Sequence, residues 1–385
     1  MRSSLFFVGS AALLATLFVA ACTGDDGTTS GGGAGASSSS GGALQDGSAA
    51  SSSGGDGGPA AGALPATTFL YVSKVDADRD ILVAVDATSG ESHVVTDLRG
   101  DGSEGWPIRG YAISPDRTRI AMATLYGPTK EDNDTKLATR RIWTLAADGS
   151  DFRRLTPVFA NNGGGRSTYS IEVGDPSFSK SGDTIFFNYG EYWYEGTTLE
   201  GATAIWSVAT EGGALPALFK APSPCSLLDP SVDPSSGKLT ITHSVCIPGQ
   251  GLDGIYLYSE DGAGSPELLV GDDATAQVVL ETPRWVADGS GFVFVATATV
   301  PAGDTTRTVR SLYVFDMGTR KATPIVVPEG ADAEVIDATI APDASAIVYC
   351  LQEGSATNLH LIDLAADPVT DTAITNDGKS CHPVW

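Results

Sequence analysis

From Tyr111 to Pro157 the chain alternates short apolar and polar runs, broken by turn residues at regular intervals. Tyr111 to Thr124 reads as two alternating runs around the turn pair Pro115 and Asp116, which predicts a β-hairpin. Ile142 to Pro157 repeats the arrangement, with Asp148 and Gly149 at the turn and Phe152 and Leu155 on the returning strand. Two hairpins in succession give four short antiparallel strands. Such a sheet cannot bury both of its faces alone, so the unit requires a neighbouring copy on each side.

Looser copies follow. Ser177–Phe187 pairs with Ile205–Gly213, and Ser231–Ile241 with Ile255–Gly262. Arg284–Phe294 pairs with Leu312–Asp316, and Thr339–Tyr349 with Leu359–Asp363. The turns recur roughly every 53 to 65 residues, a period of repeat folds. A partial N-terminal copy (Phe69–Val72, Ile81–Asp86, His93–Val95) lacks its first strand, whereas Cys381–Trp385 begins a repeat and stops where its turn would come. Joining the two ends completes a sixth unit, closes a ring and removes open sheet edges.

Ser114, Pro115 and Asp116, Ala147, Asp148 and Gly149, Arg154, Leu155 and Thr156, and the Pro-x-Trp of Pro283 and Trp285 resemble the WD40-like repeats of TolB-type β-propellers. The resemblance covers about 320 residues and implies an all-β, six-bladed β-propeller, 65–385, with Velcro closure by the C-terminal strand. TolB carries an α/β domain before its propeller, where this chain has only a linker, so its role is not carried over.

The first 64 residues lie outside that pattern. Residues 1–21 combine Arg2, an apolar run from Leu5 and small residues before Cys22, as a signal peptide does. Val19 to Cys22 resembles the lipobox of bacterial lipoproteins, which implies lipidation of Cys22. Thr23 stands where Asp would favour inner-membrane retention, so the expected address is the outer membrane, with periplasmic and surface-facing orientations both open. The remainder of 22–64 is almost wholly Gly, Ser, Ala, Thr and Asp, too poor in apolar surface to offset the entropy of ordering. It reads as a flexible tether with a root-mean-square span of roughly 35 Å.

A net charge of −24 argues against nucleic acid and against docking on anionic lipid, leaving the lipid anchor as the membrane contact and a monomer as the expected state. Apart from Cys22 there are four cysteines, an even number in a chain read as exported, which suggests disulfides. Cys225 and Cys246 lie symmetrically about the Pro234–Gly237 turn and would face each other in an unbulged hairpin. Cys350 and Cys381 would meet where the borrowed C-terminal strand joins the sixth unit. Four buried thiols are the alternative.

In a blade with strands a to d, the a–b and c–d turns share one face, and the b–c loops and d–a crossovers share the other. The long segments Leu125–Arg141, Val158–Gly174 and Tyr189–Ala204 therefore cluster on one face around blades 2 and 3. They hold Arg166, Tyr169, Tyr189, Glu191, Tyr192, Trp193, Tyr194 and Glu195, a composition suited to binding a protein or saccharide of the cell envelope. Alternatively, these aromatics pack the loops onto the blades.

A second candidate appears when the innermost strands are aligned. Gly110, Asp175, Asp229, Thr282, Asp337 and His382 then occupy equivalent places facing the central channel. Asp175, Asp229, Asp337 and His382 could converge there as a hard ligand set for Ca²⁺ or Mg²⁺; otherwise the carboxylates accept backbone N–H bonds at strand starts. Asp76, Asp78 and Asp80 look like the start of a calcium loop but lack the later Gly and Glu, so a solvated turn is expected. The sequence has no G-x-S-x-G elbow and no H-E-x-x-H helix, and no cofactor is called for. A non-catalytic binding propeller is the expectation. The alternative is a carbohydrate-active lyase or hydrolase using His243 or His382 beside a channel carboxylate.

Overall fold

In the computed structural model the repeats become six four-stranded antiparallel sheets, and no helix occurs among the described residues. Those are residues 62–76, 79–99, 108–125, 140–157, 168–195, 198–214, 216–221, 225–246, 252–271, 280–302, 305–330 and 332–385. Blade 1 takes β1 (Thr68–Asp76), β2 (Arg79–Asp86) and β3 (Ser92–Arg99) from the N-terminal side. Its innermost strand is β24 (Ser380–Val384), paired antiparallel with β1. Velcro closure is thus realised by the last residues of the chain.

The other blades are each built from consecutive strands. Blade 2 is β4 (Ile108–Ile113), β5 (Arg119–Thr124), β6 (Arg141–Ala146) and β7 (Arg153–Arg154); blade 3 is β8 (Thr168–Phe178), β9 (Thr184–Glu195), β10 (Thr198–Ala209) and β11 (Ala217–Lys220). Blade 4 is β12 (Ser226–Val232), β13 (Leu239–Ser244), β14 (Gly254–Tyr258) and β15 (Glu267–Gly271). Blade 5 is β16 (Leu280–Trp285), β17 (Gly291–Ala302), β18 (Thr305–Asp316) and β19 (Lys321–Val326). Blade 6 is β20 (Ala333–Ile340), β21 (Ala346–Glu353), β22 (Ala356–Asp363) and β23 (Thr370–Ala373).

The apolar residues gather between blades, not within them. Leu70, Leu82 and Leu98 of blade 1 pack with Ile120, Met122 and Trp143 of blade 2, and Ile142 and Leu155 of blade 2 with Phe178 and Phe187 of blade 3. Equivalent cores join blades 3 and 4, 4 and 5, 5 and 6, and finally 6 and 1, where Val348 and Leu359 meet Phe69 and Val83. A blade is therefore stabilised by burial against its neighbours, and closing the ring supplies the last interface.

The a–b turns carry Asp116, Asp183, Asp233, Asp288 and Asp343, and the c–d turns Asp86, Asp148, Asp261, Asp316 and Asp363. Their carboxylates accept N–H or O–H groups a few residues away, as when Asp148 Oδ1 takes the Ser150 N–H at 2.9 Å and its hydroxyl at 2.6 Å. This local bonding reproduces one turn around the whole face. Two longer strand pairs break the regularity on the opposite face. β9–β10 and β17–β18 run 12 residues each, against six in β5 and β13. The additional length carries each ribbon roughly 20 Å beyond the blade body at about 3.3 Å per residue.

Candidate functional site

The channel mouth is built by a β-bulge repeated on the innermost strands. Register slips between Ile108 and Gly110, Gly174 and Ser177, Leu228 and Ser231, Glu281 and Arg284, and Val335 and Asp337. Asp175, Asp229, Thr282 and His382 adopt φ of 47°, 48°, 51° and 52° there, a region unfavourable to most side chains and costly for β-branched Thr282. Gly110 fills the equivalent place in blade 2 because an added Cβ would sit 2.9 Å from Asp175 Oδ1.

The bulges give these carboxylates fixed partners. Asp229 Oδ2 accepts the Thr282 N–H of the next blade at 3.1 Å; burial and then the charge of Asp175 push its carboxyl well above the usual range. Asp337 accepts its neighbour Ala338 N–H at 2.8 Å on Oδ1 and lies 3.3 Å from His382 Nδ1 through Oδ2. Burial pushes Asp337 up, but His382 and Arg284 outweigh it, so the carboxyl ends below its ordinary value. The buried Tyr111 hydroxyl donates to the His382 carbonyl and locks the Velcro strand to blade 2.

Four converging metal ligands do not form. Among the described residues, the only His, Cys, Asp and Glu group of three or more with donor atoms mutually within 4.8 Å is Cys225, His243 and Cys246. Asp175 and Asp229 are neighbours and Asp337 pairs with His382, but backbone N–H groups occupy Asp229 and Asp337. Arg284 also adds a positive charge felt by both. These backbone contacts are the arrangement given above as the alternative to a metal set.

Sequence spacing missed three contributors. Asp80, expected in a solvated turn, is fully buried on β2, where Oδ2 accepts the Ile108 N–H at 3.1 Å and burial raises its carboxyl to about 6. Glu281, also raised by burial, pairs with Arg310 of its own blade. Arg284 donates to the Pro283 carbonyl at 3.4 Å and lies within the field of Asp229, Asp337 and Tyr111. Glu281 and Arg284, which follow the apolar run 278–280, could have been marked from the sequence, whereas Asp80, written among Asp76, Asp78 and Arg79, could not.

On the rim, Tyr189–Ala204 is a correction: Tyr189–Glu195 and Thr198–Ala204 extend β9 and β10 as a paired ribbon. Likewise residues 168–174 of the expected crossover belong to β8, and the equally long blade 5 ribbon was not anticipated. Tyr189 packs against Trp206 in a tilted arrangement with ring centroids 5.3 Å apart, and its hydroxyl donates to Glu191 at 2.6 Å. Tyr192, half-buried, lies over Gly201 on the paired strand, where an added Cβ would come within 2.4 Å of its Cδ1. Tyr169, Trp193 and Tyr194 occupy strand positions, but their side chains, like Arg166, residues 126–139 and Cys22, lie outside the described residues.

Both disulfides are present, Cys225–Cys246 and Cys350–Cys381. The first corrects the premise that suggested it. Blade 4's inner strand is bulged, so Ser226 faces Ser244, and left-handed Val245 (φ 52°) restores Cys246 to Cys225.

These features define the class, a six-bladed β-propeller closed by its last strand. No protein-family model matches the sequence, and no curated protein matches it. Among solved structures, a chain of a nidogen/laminin complex is similar over 82% of this chain and 97% of its own, at 11% identity and a TM-score of 0.53. An oligogalacturonate lyase in complex with manganese covers 80% and 73% at 14% identity and 0.47, and a putative TolB from Agrobacterium tumefaciens 67% and 79% at 13% identity and 0.42. At such identities the likeness concerns the fold.

Proposed function

We propose that this chain is a non-catalytic binding propeller of the bacterial cell envelope. It is held at the outer membrane through a lipidated Cys22 and a flexible tether, and it engages a protein or saccharide through the ribbon of blade 3. The observation that carries the reading is the six-residue excess of β9 and β10 over β5 and β13, placed in a stretch rich in Tyr and Trp. Closing the ring does not require that length, since blades 2 and 4 close without it. Rigid aromatic anchors on a projecting hairpin suit recognition.

Affinity capture from detergent-solubilised envelopes, comparing the native propeller with a Trp193→Ala/Tyr194→Ala variant, tests the surface. Tyr192 stays because it covers Gly201. The expected result is a partner whose binding weakens by about 2 kcal/mol or more in the variant, with the thermal transition nearly unchanged. Equal capture by both proteins would remove the ribbon from the proposal. Anchoring is tested separately: Cys22→Ala should shift the protein from the detergent phase to the soluble fraction.

A second reading, a carbohydrate-active lyase or hydrolase, is favoured by the His382–Asp337 pair at the channel mouth. Turnover of an envelope saccharide that disappears in Asp337→Asn would decide for it.

A further inference from the structure

One cluster of potential metal ligands, at the ends of β12 and β13 in blade 4, includes neither the channel carboxylates nor the blade 3 aromatics. A sulfur from each of Cys225 and Cys246 and a ring nitrogen of His243 all lie within 4.8 Å of one another. In the oxidised chain the sulfurs are bonded to each other. The third donor is held ready by its surroundings. His243 is buried, stacks on Tyr256 with centroids 4.0 Å apart, and shares a 2.6 Å hydrogen bond between Nε2 and the Tyr258 hydroxyl. When Nε2–H donates to Tyr258, Nδ1 keeps the lone pair that a metal requires; hydrogen-bonded partners commonly fix metal-bound imidazoles in this way.

The geometry does not depend on the disulfide alone. Asp253 accepts the N–H groups of Val245 at 3.2 Å and Cys246 at 2.8 Å, and ladder pairing sets Ser226 against Ser244 and Leu227 against His243. Sulfurs each about 2.3 Å from a tetrahedral ion stand roughly 3.8 Å apart, a separation that side-chain rotation can supply once the S–S bond is open.

We propose that the Cys225–Cys246 disulfide and a borderline-soft divalent cation of the Zn²⁺ type are alternative occupants of one site, with His243 as third ligand. A dithiol reductant gives two electrons and two protons to the disulfide; the S–S bond breaks, two cysteine thiols form and the reductant becomes a cyclic disulfide. Binding the cation then releases two protons, one from each thiol, while His243 contributes its lone pair. Two thiolates and an imidazole leave one tetrahedral position for water. The clamp on blade 4 thereby exchanges a covalent bond for a metal bridge between the same strands.

The test uses the full chain, reduced with a dithiol, desalted under anaerobic conditions and titrated with Co²⁺ and then Zn²⁺. The expected result is one Co²⁺ per chain with the absorption bands of tetrahedral thiolate ligation, bleached by Zn²⁺ and missing from the oxidised chain. Cys225→Ser/Cys246→Ser should abolish the bands although Cys22, Cys350 and Cys381 remain, and His243→Phe should weaken Co²⁺ binding at least tenfold. Bands unchanged in the double serine variant, affinity unchanged in His243→Phe, or absent binding would each overturn the proposal. Loss of the β-sheet circular dichroism on reduction would overturn it too, because the ligands would no longer be assembled.

Discussion

The two ends of the propeller are built on opposite principles. On the turn face, most carboxylate bonds are local: Ser114 with Asp116 at 2.6 Å, Ser181 with Asp183 at 2.6 Å and Ser345 with Asp343 at 2.6 Å recur in blades 2, 3 and 6. On the ribbon face, bonds cross between distant segments, as in Asp229 with Thr282, Asp337 with His382 and Tyr111 with His382. The carboxylate bonds of these turns can be copied from blade to blade, because each closes within a few residues of chain. The ribbon face escapes that repetition, and differences between blades concentrate there.

The comparison can be broken most severely at the seam. Replacing Cys350 and Cys381 by Ser opens a link spanning 31 residues and frees β24 from β21, for an expected loss of roughly 3 to 4 kcal/mol. Chemical denaturation measures it. A loss under about 1 kcal/mol would mean that hydrogen bonds and Trp385 close the ring unaided.

Next come the turns. At Gly149, φ is 84° and an added Cβ would lie 1.9 Å from the Val95 carbonyl of blade 1, whereas Gly90 (φ 73°) has nothing within 4 Å. Gly149→Ala should destabilise by about 3 kcal/mol and Gly90→Ala by about 1 kcal/mol. Equal losses would show that backbone conformation alone, not the approach of blade 1, restricts Gly149.

The smallest effect sharpens the contrast through pH. Hydrogen bonds to side chains and backbone hold the turn carboxyls of Asp116, Asp148, Asp183 and Asp343 below their ordinary value. Their contribution is complete above the unfolded value near 4 and is lost as pH falls through the lower folded values. Asp80 has the opposite sign. Its folded value of about 6 lies above the unfolded one, so its contribution is complete below about pH 4 and disappears as pH rises through 6. Asp80→Asn, which retains an acceptor for Ile108, should therefore flatten the stability profile between about pH 4 and 6 and add about 2 kcal/mol at pH 8. A profile unchanged by the substitution would show that Asp80 is solvated or paired in the native state.

Much of the turn face could be read directly from the residues. Pro115 with Asp116 and Asp148 with Gly149 each mark a turn through their own backbone preferences, and the alternation on either side marks the strands. The disulfide partners were legible too, but for Cys225 and Cys246 the assumed straight hairpin was wrong, because nothing near Asp229 announces a bulge and nothing near Val245 announces its compensation. The blade 3 ribbon read as a loop from its length between the repeat strands. In the fold Gly190 and Gly201 stay in the ladder, with Tyr192 lying over Gly201.

The sequence by itself determined the number of blades, the shared first-and-last blade and the turn chemistry, since each rests on periodicity or on the preferences of residues close along the chain; it suggested the cysteine pairs, one of them on a premise that the bulge of blade 4 corrects. Only the tertiary structure decided the chemistry of the channel mouth. Asp175, Asp229, Asp337 and His382 come from four different strands, and the protonation of Asp229 and Asp337 depends on burial and on Arg284, whose position no local pattern encodes. The same reason separates Asp80 from its apparent turn. A carboxylate written in an acidic run becomes a buried acceptor only when blade 2 brings the Ile108 N–H against it.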